Sequence, residues 1–376
     1  MKKYNRGAII VIWLLIGWCV LPGWTRSPQE FYKKITREFS ISPTGTTAIY
    51  NKYGNIKVHT WPNRSVKLDI TIVVDAANQR SANRLFERIH VNFLHTADYV
   101  KAETVIEPED GEESYGLIRI SFKRQNFKIH YDVWLPAENQ LDLKNRYGDA
   151  LVSQLKGKLM AEIRYGYLQG ENLAGDAELS LNHGKAFFNQ MRNLSGYINY
   201  SELTVERAVE VSLDTRYSEI HISRADQVHL MSKYDKMNLG EVKNLRLQTR
   251  YGDLKGRQIG SLFLTAQYAD SYLEHISEVL NADLQYGQIR VNTLGRHFSE
   301  AKLQAKYTDV KIGVEPGTTF RLDAEGKYAD VHTPALLRTI RWENADGKKK
   351  LSGYVGDANA PRVISAKLQY GDFVLK

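Results

Sequence analysis

A tyrosine recurs along this chain at nearly constant spacing, and that spacing limits what the chain can fold into more than any other feature. The motif reads Asn145-Arg146-Tyr147-Gly148-Asp149, then Thr215-Arg216-Tyr217-Ser218-Glu219, then Thr249-Arg250-Tyr251-Gly252-Asp253. Its stations are Tyr147, Tyr165, Tyr200, Tyr217, Tyr234, Tyr251, Tyr268, Tyr286, Tyr307, Tyr328 and Tyr370, with His183 taking the tyrosine's place at one more. The steps run 18, 18, 17, 17, 17, 17, 17, 18, 21, 21 and 42 residues, the last being twice 21. A unit this short cannot bury its own apolar face, so it must stack on its neighbours.

The apolar residues around each station keep strand parity. Leu245, Leu247, Thr249 and Tyr251 share one face, and Arg246, Gln248 and Arg250 take the other. Two residues past the station the parity flips, as in Ile220 and Ile222 after Tyr217 or Val310 and Ile312 after Tyr307. A small residue after each tyrosine marks a bend between a strand of about seven residues and one of about four. The predicted fold is all-β: a single-stranded parallel β-helix, or solenoid, with coils of 17–21 residues over 141–376. The default for parallel crossovers makes it right-handed, and a dozen coils give a rod of about 55–60 Å.

Stacking would align equivalent residues into ladders. Tyrosine would lie on tyrosine with its ring half buried. Position −1 is commonly basic (Arg146, Arg216, Lys233, Arg250, Lys306, Lys327), and position +2 commonly acidic (Asp149, Glu202, Glu219, Asp253, Asp270, Asp309). The two columns are expected to offset each other's like-charge repulsion, each exposed pair contributing about 0–1 kcal/mol.

Residues 28–140 have a different texture and are expected to form a β-rich cap with one short helix. A strand pair is predicted around Thr47 to Trp61, including a first motif copy at Asn51-Lys52-Tyr53-Gly54-Asn55. Further strands are expected at Val66–Val74, His90–Leu94, Tyr99–Ile106, Leu117–Lys123 and Phe127–Leu135. Gln79 to Ile89 has helical spacing through Ala82, Leu85, Phe86 and Ile89. Near the other end, Thr339 to Val355 (339–355) reads as a hairpin turning at Asn344-Ala345-Asp346-Gly347, which interrupts the register.

Residues 1–27 read as an export signal. A basic start is followed by an apolar run from Gly7 to Leu21 and then by Pro22-Gly23. No small-x-small cleavage pattern follows, so an uncleaved N-terminal anchor is the alternative. Either form places the remainder outside the cytoplasm, in the periplasm or on the outer cell surface. Cys19 is the only cysteine and Trp18 precedes it where a lipoprotein signal needs a small residue, so it reads as one more apolar residue of the leader. No intramolecular disulfide is available, and an exported chain of this length must rely on its core.

Charge argues against nucleic acid as a partner. The formal net charge is +8, but Lys2, Lys3 and Arg6 belong to the leader, and the remaining acidic and basic residues are interspersed rather than gathered into a phosphate-binding stripe.

The stretch Tyr131-Asp132-Val133-Trp134-Leu135-Pro136, then Leu141-Asp142-Leu143-Lys144-Asn145-Arg146-Tyr147-Gly148-Asp149, then the serial repeats, resembles a family of exported bacterial β-strand-repeat proteins labelled adhesins and also grouped as a domain of unknown function. Gly353-Tyr354-Val355-Gly356-Asp357 with Leu368-Gln369-Tyr370-Gly371-Asp372 looks like that family's closing coil. The resemblance spans about residues 45–376. It implies a β-repeat fold and an adhesin-like role, and brings no catalytic residues with it.

Three chemistries were sought. A glycan-cleaving β-helix enzyme needs long loops and convergent carboxylates, whereas the turns here are short and the charges periodic. Hexapeptide acyltransferases repeat apolar positions every six residues, which these do not. The ten histidines are scattered without a metal-ligand run, and His183 reads as a ladder substitute rather than a ligand. The reading is an exported, non-enzymatic envelope protein with no catalytic, cofactor or metal residues, acting through the tyrosine ladder as structure and binding face. Carbohydrate or an envelope protein would be the partner, and a membrane would be met only through the uncleaved N-terminal segment. A glycan-active enzyme and a self-assembling envelope scaffold are the alternatives.

Overall fold

Alternating apolar residues become strands with buried inward side chains. In the layer around Tyr251, Leu245, Leu247 and Thr249 are buried, while Arg246, Gln248 and Arg250 are exposed. Past the bend the alternation resumes out of step, with Leu254 inward. The computed structural model describes residues 29–108 and 126–376, so the leader with Cys19 and the strand expected at Leu117–Lys123 lie outside the described residues. Over the described residues the chain is all-β, with one helix and one large, mostly parallel sheet that does not close on itself.

Each layer pairs in parallel with the layer one repeat further along. Asn193–Asn199 pairs with Glu202–Arg216 at Ile198↔Thr215, and Glu202–Arg216 with Glu219–Lys233 at Thr215↔Ser232, a shift of one 17-residue step each time. Inward residues therefore form continuous columns, such as Val211, Val228, Leu245 and Leu262, all buried. Size is balanced between adjacent layers. A Cβ at Gly170 would stand 2.6 Å from the Phe188 ring, so the glycine makes room for the fully buried aromatic.

At the N-terminal end, Thr46–Lys52 and Ile56–Trp61 do not pair with each other, contrary to the expected strand pair. They are the two halves of one layer, because the bend at Tyr53 is the same bend as in every later repeat. On one side they pair in parallel with Gln140–Arg146 and Ala150–Leu155. On the other they pair with Tyr99–Ile106 and Phe127–Pro136. The sheet then ends in antiparallel strands: Ser65–Ala76 on Phe127–Pro136, Gln29–Ser40 beyond it, and Ile89–His95 on Tyr99–Ile106. The helix Gln79–Glu87 begins at Asn78, whose side chain accepts from the Ser81 amide, and buries Ala82 and Phe86. A buried network ties this end together: the Tyr131 hydroxyl lies 2.7 Å from Thr104 Oγ1, which donates to Asn51 Oδ1 at 3.0 Å. Burial pushes the Tyr131 phenol well above its ordinary pKa.

At the other end the spatial order departs from the chain order. Val363–Gln369 pairs in parallel with Glu300–Val314 on one side and with Phe320–Lys327 on the other. The Tyr370 layer thus lies between the Tyr307 and Tyr328 layers instead of closing the stack. Arg338–Ala345 and Lys348–Val355 form the expected hairpin, turning through Asp346 and Gly347 at positive φ. Lys348–Val355 then covers the far side of Phe320–Lys327 in antiparallel register.

Candidate functional site

Every station residue adopts the left-handed backbone conformation. Tyr53, the eleven later tyrosines and His183 all have φ between 50° and 62°. For a residue with a Cβ this costs about 1–2 kcal/mol. It also explains the parity flip and reverses one expectation. Parity alone puts the tyrosine on the core face with Leu245 and Leu247, but the left-handed residue throws its ring outward.

The rings form a single outer column in the order Tyr53, Tyr147, Tyr165, His183, Tyr200, Tyr217, Tyr234, Tyr251, Tyr268, Tyr286, Tyr307, Tyr370, Tyr328. Successive centroids lie 4.7–5.4 Å apart and successive planes within 14° of parallel. Twelve interlayer steps make a column of about 58 Å at the interstrand spacing. Phe127 closes one end edge-on against Tyr53, 5.7 Å away. At the other, Gly347 of the hairpin turn packs on the Tyr328 ring, where a Cβ would be 2.6 Å from Cε1, and its carbonyl accepts from the Tyr328 amide. All the tyrosines expected from the sequence are brought together here, and Tyr53 joins them across a gap of 94 residues.

The flanking charges act differently from the expected pairing of columns. The −1 cations lie over the rings: Arg146 over Tyr147 (4.9 Å), Arg250 over Tyr251 (5.1 Å), Lys233 over Tyr234 (5.5 Å), Lys306 over Tyr307 (5.6 Å). Each contributes about 0.5–1 kcal/mol at an exposed site. Three of the +2 carboxylates instead cap backbone of the adjoining layer, while Glu202 pairs with Lys185 and Glu219 with His221. Asp149 accepts from the Tyr167 amide, Asp270 from the Gln288 amide and Asp309 from the Asp372 amide, at 3.0–3.2 Å. Among the described residues no ion pair joins a −1 cation to a +2 acid.

The small residue after each station also has a task that composition did not reveal. At the bend its amide finds an oxygen on the equivalent side chain one layer on. Gly184 donates to Ser201 Oγ (3.1 Å), Ser201 to Ser218 Oγ (3.2 Å) and Ser218 to Asp235 Oδ1 (2.7 Å). Asp235 is only 1% exposed and also accepts from the Thr215 and Ser232 hydroxyls and the Lys233 amide. The signal for it was present, since Tyr234-Asp235-Lys236 puts an acid where other repeats have Gly, Ser, Ala or Thr.

Beside the ring column runs a shallow trough. Its floor is Gly184, Ser201, Ser218, Asp235 and Gly252, with the rings on one wall and Lys185, Glu202, Glu219, Lys236, Asp253 and Asp270 on the other. Two adjoining stretches of about 680 and 460 Å³ meet at Tyr234 and Lys236. Only Tyr147, among the column's tyrosines, has its hydroxyl bonded within the protein, to Arg146 at 3.0 Å. The other tyrosines of the described column leave their hydroxyls without a protein partner, and five of them, Tyr200, Tyr217, Tyr234, Tyr251 and Tyr268, line the trough. Among the described residues no group of three His, Cys, Asp or Glu is placed to hold a metal ion, and no helix is long and apolar enough to cross a membrane.

No family model matches the chain, and no curated protein matches it. Solved structures of similar shape include a "putative adhesin" of Parabacteroides distasonis ATCC 8503 (9% identity, TM-score 0.34, covering 74% of this chain and 97% of that one). A "putative adhesin" of Bacteroides fragilis NCTC 9343 matches at 11% identity and TM-score 0.29, covering 92% and 97% of the two chains. A "putative cell adhesion protein" of Clostridium sporogenes ATCC 15579 matches at 10% identity and TM-score 0.17, covering 93% and 99%. Scores this low determine neither a family nor a ligand for this chain.

Proposed function

We propose that this protein is an exported, non-enzymatic, adhesin-like binding scaffold of the cell envelope. In this reading the layers wind as a right-handed β-solenoid, and the protein engages a linear ligand, a glycan or an extended protein segment, along the tyrosine column. One observation carries the reading. A row of stacked rings exposes hydroxyls without protein partners at a spacing of about one strand, beside a trough floored by the bend residues and walled by charges of both signs. Rings supply apolar faces and hydroxyls supply hydrogen bonds, the combination that makes Tyr common at recognition surfaces. The +2 carboxylates stand in a regular row, three of them bound to backbone amides, rather than converging on one point, which supports binding over hydrolysis.

The test separates stacking from recognition. Replacing Tyr234, Tyr251 and Tyr268 together by Phe keeps the rings and removes three hydroxyls. Protein identified as surface-exposed by protease shaving of intact cells is screened on glycan and host-protein arrays, and the triple variant is compared on the hits. The expected outcome is unchanged thermal stability with binding weakened about tenfold or more, the loss of one or two hydrogen bonds. Equal binding by the variant would remove the column from the recognition surface and leave it as packing alone.

A further inference from the structure

The Tyr370 layer is an insert between two layers whose registers already match each other. The steps Tyr286 to Tyr307 and Tyr307 to Tyr328 are both 21 residues, yet the first climbs one layer and the second climbs two, leaving a slot that Val363–Gln369 fills. The registers show why the slot is optional. Val363 faces Glu300 on one side and Arg321 on the other, and Gln369 faces Lys306 and Lys327. Glu300 and Arg321 are therefore already in line, 21 residues apart, the same offset as Val279↔Glu300 one layer below. Without the insert the flanking strands meet with no slip, bringing Ala301 to Leu322 and Leu303 to Ala324 with every inward residue still inward.

The attachments of the insert fit this. Beyond the bend, Phe373–Leu375 pairs with Glu300–Val314 at three positions but with Val331–His332 at only two. Its tether is Gly356–Arg362, seven residues joining Val355 to Val363 on opposite faces of the strand Phe320–Lys327. Two strand spacings are about 10 Å, and seven extended residues reach about 24 Å. The tether is longer than its span, with Gly356 at φ 77° placed to act as its hinge, and its release breaks the contacts of buried Ala360 and of Arg362 with Arg321. The insert itself is apolar inside, with Ile364, Ala366, Leu368, Phe373 and Leu375 all buried, so once withdrawn it must be buried again elsewhere.

We propose that the slot between Glu300–Val314 and Phe320–Lys327 is a strand-acceptor site, and that it exchanges its own Tyr370 layer for that of a second copy of this chain. The equivalent slot is the surface most complementary to that segment, because exchange restores every pairing seen in the single chain. Closure of the flanking strands lowers the penalty of the open state, since the two edges of the slot then pair with each other and only the insert's own edges stay unpaired. The inference stands independently of what the trough binds.

The test uses full-length chains with Cys19→Ser. Asp323 and Ser365 face each other in the register, at a separation suited to a disulfide. One chain carries Asp323→Cys and a differently tagged chain carries Ser365→Cys. They are mixed reduced, incubated at high concentration and then oxidised. A disulfide between the tags exceeds random cross-linking only if one copy's insert sits in the other's slot. The control partner carries the exposed Gln154→Cys instead. The expected yield is on the order of tenfold above that control, the ratio that about 1.4 kcal/mol of specific association supplies. A yield equal to the control overturns the exchange. A single chain carrying both cysteines should close internally when dilute, and failure to close would remove the slot itself.

Discussion

Tyr251 makes the logic of the stations measurable. Its ring lies 4.8 Å from Tyr234 and 5.1 Å from Tyr268, with the Arg250 guanidinium 5.1 Å above it. Two aromatic contacts at about 0.5–1.5 kcal/mol each and a cation–π contact of about 0.5–1 kcal/mol make Tyr251→Ala destabilising by about 1.5–4 kcal/mol. Tyr251→Gly loses the same contacts, but it relieves the left-handed backbone at φ 58°, gaining about 1–2 kcal/mol, against about 0.5–1 kcal/mol for glycine's extra freedom in the unfolded chain. The glycine variant is therefore expected to be about 0.5–1 kcal/mol more stable than the alanine variant, the reverse of the usual order in a strand. At exposed Gln248, three residues earlier on the same strand, the usual order should hold, with Gly below Ala. Urea midpoints for the four variants read this directly, provided one transition is compared throughout, because repeat arrays need not unfold in a single step. An alanine variant as stable as the glycine variant at 251 would refute the claim that stacking offsets backbone strain at the stations.

Three further outcomes follow from buried polar groups. Asp235→Ala leaves the Ser218 and Lys233 amides without their acceptor and should cost about 2–5 kcal/mol, while Asp235→Ser, the residue used one layer below, should cost less than half of that by thermal unfolding. Ser271 stands in the otherwise apolar column with Leu254 and Ile289, its buried Oγ lacking any partner. Ser271→Ala should leave stability unchanged or raise it by about 1 kcal/mol, and a clear loss would reveal an unseen bond. Tyr131→Phe should cost about 1 kcal/mol near neutral pH and flatten the alkaline limb. Burial raises this phenol's pKa in the folded state, so its contribution is fully present below the unfolded value of about 10 and is lost as pH rises through the folded value. Unfolding titrations above that pH should fall less steeply in the variant than in the wild type.

The period, the strands of the repeats, the bend and the column of rings were legible, because stacking requires each repeat to present the same residue at the same place. The left-handed backbone at Tyr251 was hidden. Nothing in a Thr-Arg-Tyr-Gly-Asp string separates a bend made by the glycine from one made by the tyrosine, and parity alone pointed the ring inward. Pairing of Arg250 with acids was inferred from alternating charge, whereas the cation had a closer partner in the ring beside it. The place of Tyr370 was beyond reach for a different reason. A 42-residue step equals two 21-residue repeats whether the chain moves on or doubles back, so spacing fixes the number of layers but not their order.

The two ends share one device. After the Tyr53 layer the chain leaves the stack, builds the antiparallel cap, and returns 94 residues on to pair Gln140 with Thr46. After the Tyr307 layer it leaves again, builds the hairpin cap, and returns 63 residues on to pair Val363 with Glu300. Between these excursions every pairing spans 17–21 residues. Loop closure makes long-range pairings slow to form, so the middle layers can assemble while the ends still wait for a returning strand. In each case the returning layer lies next to the last one placed before the excursion, on the far side of the Tyr53 layer from its cap at one end and directly beneath the Tyr328 layer at the other. The caps terminate a stack that would otherwise offer parallel edges to another chain. Closing them by a returning strand makes the layers that hold the ends the last to form and, at the Tyr370 layer, the one that can be exchanged.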